Sequence, residues 1–62
     1  MDIFNVNDVF KFAVRIEEDG ELFYHKAALI TDDEGVRNLF NNLADEEIRH
    51  KRIFSEMLEK IE

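Results

Sequence analysis

The chain has no cysteine and no proline, and its only glycines are Gly20 and Gly35. Without cysteine there is neither a disulfide framework nor a thiolate metal site. So few turn-forming residues leave little room for loops, and the sequence reads as all helical. A basic stripe is missing too: eight Lys and Arg are scattered among fifteen Asp and Glu, for a net charge of −7. Nothing in that pattern would neutralise a phosphate backbone, which argues against nucleic acid as a partner and suits cations instead. No apolar run approaches the roughly 20 residues of a membrane span. The N-terminal "MDIFNVNDVF" has neither the basic start nor the apolar stretch of a signal peptide. No membrane partner and a cytoplasmic location are therefore expected. At 62 residues the chain reads as one small domain, 1–62, near the size at which a single core barely offsets chain entropy, so a partner chain is expected.

What is present is a pair of heptad seams. Positions 3, 6, 10, 13, 17, 20, 24 and 27 alternate three and four apart and carry Ile3, Val6, Phe10, Ala13, Glu17, Gly20, Tyr24 and Ala27. Positions 36, 40, 43, 47, 50, 54, 57 and 61 repeat the spacing with Val36, Phe40, Leu43, Glu47, His50, Phe54, Met57 and Ile61. Such spacing puts each set on one side of a helix. Between them lies "LITDDEGVRN", in which Thr31 followed three residues later by Glu34 matches a capping box. Helix one is expected to end near Leu29 or Ile30, with Asn5 or Asn7 as its opening cap. A connection this short makes the helices antiparallel neighbours. Val9, Phe12, Ile16 and Phe23 in the first helix, with Ala44, Ile48 and Leu58 in the second, widen the apolar faces beyond what one neighbour covers. The fold expected is an antiparallel two-helix hairpin that dimerises into a four-helix bundle.

The second seam is interrupted only by Glu47 and His50, and the first carries Glu17 at its centre. With the turn at about residue 31 and a rise of about 1.5 Å per residue, Glu17 and Glu47 fall at nearly the same height, with His50 one turn farther on. Carboxylates left ionised and unpaired in an apolar interior would cost several kcal/mol each, an objection that a bound cation removes. Ala13 and Gly20 flank Glu17 and are expected to leave space for a metal and its waters. A two-fold dimer brings together two copies each of Glu17, Glu47 and His50, the pattern of a di-metal carboxylate bundle in which Glu47-Ile48-Arg49-His50 is the Glu-x-x-His element. Oxygen and imidazole donors without sulfur favour iron or manganese over a structural zinc site, although zinc can still bind; the cofactor expected is iron, two ions per dimer. Glu-x-x-His alone arises readily in acidic helices; its place on the seam opposite a Glu at equal height gives it weight. The competing reading is a self-paired polar core of buried Glu and His. Glu46 falls off the seam and reads as solvated. Glu18 and Glu21 are off it too, as candidates for an auxiliary metal site, and His25 reads as an exposed helix partner of Glu21. Tyr24 fits either as core packing or as a hydrogen-bond partner of a ligand carboxylate.

"IEEDGELFYHKAA" followed by "LFNNLADEEIRHKRIF" resembles the ferritin-like superfamily, rubrerythrin branch, over nearly the whole chain from about Ala13 to Leu58. Such proteins usually hold two hairpins in one chain; the single hairpin here resembles the half-ferritins packaged in encapsulin compartments, whose iron site forms between subunits. The resemblance implies ligand roles, catalytic as well as metal-binding, for Glu17, Glu47 and His50. It also suggests a supporting role for Tyr24. It further implies a di-iron ferroxidase for iron storage or detoxification, acting as a homodimer or higher homo-oligomer with an encapsulin shell as partner. Two departures stand out. There is no rubredoxin-like Cys motif, which counts against a full rubrerythrin-type peroxidase, and the chain ends at "EKIE" without the tail that addresses cargo to a shell, which leaves targeting open. The alternatives carried forward are a peroxide-reducing di-iron protein and a non-enzymatic module whose dimer is held together by metal.

Overall fold

Asn5 opens the first helix. Its side-chain oxygen accepts the Asp8 backbone N–H at 2.9 Å, and the Asp8 carboxylate accepts the Asn5 N–H at 3.4 Å, so that two donors without intrahelical partners satisfy one another's residues. The structure, a computed structural model, describes residues 5–61; Ile3, the first position of the expected seam, lies outside them. Helix α1 spans Val6–Ile30 and α2 spans Glu34–Ile61, and there is no strand among the described residues. At about 1.5 Å per residue these are rods of about 38 and 42 Å.

The reversal takes only residues 31–33, and its chemistry differs from the capping box expected at Thr31. Because α1 runs to Ile30, Thr31 is already its C-terminal cap, with extended φ −87° and ψ 141°. The N-terminal cap of α2 falls instead on Asp33, whose carboxylate accepts the Val36 N–H at 2.9 Å and whose carbonyl accepts the first helical bond, from Arg37, at 2.9 Å. The Thr31 hydroxyl serves the turn by accepting the Asp33 N–H at 3.3 Å. Arg37 then reaches back across the connection, donating Nε to the Ala28 carbonyl at 3.3 Å and Nη2 to the Thr31 carbonyl at 2.9 Å. A cation thereby covers carbonyls that the end of α1 leaves open, at the negative end of its dipole.

The helices pack as antiparallel neighbours in one register. Phe10 meets Phe54 with ring centroids 6.1 Å apart, and Tyr24 stacks on Phe40 at 6.2 Å. Both pairs are equidistant in sequence from Asp32, as are Glu17 and Glu47, so a polar layer lies one heptad from an aromatic layer on either side. The whole measures 49 × 22 × 10 Å, one helix thick. Among the described residues only Ala28 and Ala44 are buried. The accessible surface of 4999 Å² exceeds the roughly 4,200 Å² of a compact monomer of this mass. No helix of the described residues is long and apolar enough to cross a membrane.

Candidate metal centre

Glu17 lies near the middle of α1, and Glu47 and His50 lie near the middle of α2. The register of the hairpin brings one ligand atom from each of the three within 4.8 Å of the others. His50 Nδ1 is 3.3 Å from Glu17 Oε2. Glu17 is enclosed, its side chain 15% exposed, whereas the His50 ring is 48% exposed and looks out from the hairpin. The layer expected to be buried is thus only half covered by one chain.

Gly20 lies directly against this cluster. A Cβ built there would lie 3.2 Å from both Cδ and Oε2 of Glu47, so the room that Gly20 leaves beside Glu17 admits the end of the second carboxylate. Two acidic groups are therefore drawn to one point, and among the described residues neither forms an ion pair with Lys or Arg; the polar side chain beside Glu17 is the His50 ring. Like charges this close repel. Two carboxylates and an imidazole with no compensating base form a donor set for a divalent cation of the iron, manganese or zinc kind.

The surrounding charges are arranged in pairs. Glu21 lies 3.5 Å from Lys51 and 3.6 Å from His25, the His25 contact being the helix pair read from the sequence. No second group of three metal-ligating side chains occurs among the described residues, so Glu18 and Glu21 join no such group. Tyr24 packs by its ring against Phe40 and, edge-on at 5.5 Å, against Phe23. Its hydroxyl makes no hydrogen bond among the described residues. The Glu46 side chain is half-exposed to solvent, as its place off the seam implies, and is also paired. Arg49 Nη1 donates to both of its oxygens, at 2.9 and 3.0 Å, and Glu46 Oε2 stands 4.0 Å from His50 Nε2. The signal for this was present as the i,i+4 spacing of Glu46 and His50, without an indication of where the carboxylate would be held.

The model of one family, rubrerythrin, matches residues 8–62, a span that contains Glu17, Tyr24, Glu47 and His50. No curated protein and no solved structure matches the chain.

Proposed function

Because the chain belongs to the rubrerythrin family, within the ferritin-like superfamily, we propose that it oxidises ferrous ion at a di-iron centre shared between two copies of the hairpin. The observation that carries this reading is the convergence of Glu17, Glu47 and His50 within 4.8 Å. The three side chains of one hairpin leave open positions even on a single ion, and a pair of ions needs a second set of carboxylates. A second hairpin related by a two-fold axis supplies the same three again, as in bundles where two helices each give a Glu and the other two each give Glu-x-x-His.

Exposed apolar side chains support the pairing. Val9, Phe12, Ile16 and Phe23 are 55–64% exposed along one row of α1. On α2, Ile53, Met57 and Ile61 follow His50 at helical spacing and are also exposed. Apolar rows exposed on both helices are the kind of surface that a partner chain covers.

Ferrous ion is the substrate: each ion gives up one electron, and the pair reduces dioxygen with two protons to hydrogen peroxide, or hydrogen peroxide with two protons to two waters. The carboxylates of Glu17 and Glu47 favour the change because hard, anionic oxygen is bound more strongly as the charge of the ion rises. His50 adds a neutral nitrogen donor and keeps the site from accumulating excess negative charge. The biological role proposed is iron storage or detoxification, with an encapsulin shell as the candidate compartment.

Anaerobic loading with ferrous ion followed by admission of oxygen tests the reading. It predicts ferric absorbance faster than in buffer, saturating at about two irons per dimer. Binding without acceleration leaves a metal-held interaction module, and no binding removes the reading altogether.

A further inference from the structure

We propose that Glu46 is a positioning residue for this centre: clamped by Arg49, its carboxylate accepts the outer ring N–H of His50 and so leaves the inner nitrogen free to hold a cation. The proposal rests on the reading of Glu17, Glu47 and His50 as the metal centre.

The two ring nitrogens of His50 face different carboxylates, Nδ1 toward Glu17 at 3.3 Å and Nε2 toward Glu46 at 4.0 Å. Neutral imidazole carries one proton. A cation among Glu17, Glu47 and Nδ1 needs the lone pair on Nδ1, which puts the proton on Nε2, where an acceptor is required to fix the ring. Glu46 is one helical turn before His50 and on the correct side. Its separation is about 1 Å beyond a hydrogen bond, within the reach of a side-chain torsion. An exposed Glu alone would spread over several rotamers. Arg49, bonded to both Glu46 oxygens at 2.9 and 3.0 Å, narrows that spread to rotamers near His50 and leaves the last ångström to a small torsion. All three residues lie on α2, so this arrangement is built into one chain before any second copy arrives.

Zinc ion, which is diamagnetic, is a suitable probe, with affinity measured by chelator competition and the His50 ring nitrogens and protons followed by NMR. In the zinc-loaded protein the Nε2 proton should be observable and slow to exchange. Glu46→Ala should weaken zinc binding about 10- to 100-fold and speed the loss of that proton, while the metal-free melt stays unchanged because exposed pairs contribute little. Glu46→Gln, which keeps an acceptor oxygen on the same stem, should recover most of the affinity. Arg49→Ala should weaken binding by a smaller factor, and should add nothing in the Glu46→Ala background. If wild type takes up no zinc, the centre itself is refuted and the proposal falls with it. If wild type binds and Glu46→Ala binds as tightly with the same proton exchange, or if Glu46→Gln loses as much as Glu46→Ala, the positioning role alone is overturned.

Discussion

Gly20 on α1 faces the carboxyl end of Glu47 on α2, so closely that a methyl group at Gly20 would meet Glu47 Cδ and Oε2 at 3.2 Å. A glycine in mid-helix costs about 1 kcal/mol relative to alanine, and here that cost secures the position of a side chain on the opposite helix. Gly20→Ala should therefore separate two properties. The metal-free protein should melt no lower and by up to about 1 kcal/mol higher, since the displaced atoms are the far end of a flexible side chain. Ferrous affinity, read by anaerobic titration, should fall about tenfold or more as Glu47 moves off its place. Unchanged affinity would show that the fit at Gly20 has no bearing on the centre.

His50→Ala should abolish tight iron binding while shifting the metal-free melt by less than about 1 kcal/mol, because a ring that is 48% exposed gives up little on removal. Glu47→Ala should do the same, apart from a small cavity penalty. Wild type alone should gain stability from iron. A self-paired polar core predicts the reverse, with each variant losing about 3–5 kcal/mol as its partner is stranded. Melts of the three proteins with and without ferrous ion distinguish the two.

Arg37 joins the end of α1 to the start of α2 through two carbonyls. Arg37→Ala should lower stability by about 1 kcal/mol, a charged hydrogen bond discounted for exposure. Once folded, it should bind iron as wild type does, because the turn is remote from the centre. Denaturant midpoints and iron titrations of the same samples would check both halves of that statement.

Ile16 is 64% exposed in a single hairpin, so Ile16→Lys should cost an isolated chain almost nothing. In a dimer closed over the apolar row it would bury a charge. The expected outcome by light scattering coupled to size exclusion is a dimer or larger for wild type and a monomer for the variant, with iron oxidation lost alongside. A monomeric wild type that still oxidises iron would overturn the shared-centre reading.

Tyr24 offers a hydroxyl with no hydrogen-bond partner among the described residues, next to the polar layer. Tyr24→Phe keeps the ring stacked on Phe40 and should alter stability by less than about 1 kcal/mol. If the hydroxyl reaches a ligand carboxylate in the assembled bundle, oxidation should slow with ferrous affinity unchanged. Stopped-flow traces at saturating iron provide the comparison.

The two helices, their antiparallel pairing and the Glu17, Glu47 and His50 cluster are legible in the sequence because heptad spacing is a local property and charged residues stand out on an apolar seam. The cap of α2 is not. Thr31 with Glu34 and Asp33 with Val36 both satisfy the local rule, and the choice depends on how far α1 continues before the chain turns. Gly20 is visible as a small residue beside Glu17, yet which neighbour fills the space depends on the offset between helices. The contact between Glu46 and Arg49 depends on side-chain rotamers, and spacing does not specify a rotamer.

The connection that joins the helices is only the three residues 31–33, braced by the reach of Arg37, while the cluster lies about 20 Å away along the rods. Tolerance to inserted or deleted residues is consequently lopsided. One residue added to α2 between Asp33 and Glu47 would rotate Glu47 and His50 by about 100° and advance them by about 1.5 Å, carrying both away from Glu17 and Gly20. The same addition beyond Phe54 would leave every ligand where it is, so the stretch leading out of the turn is the part of the chain whose length cannot drift.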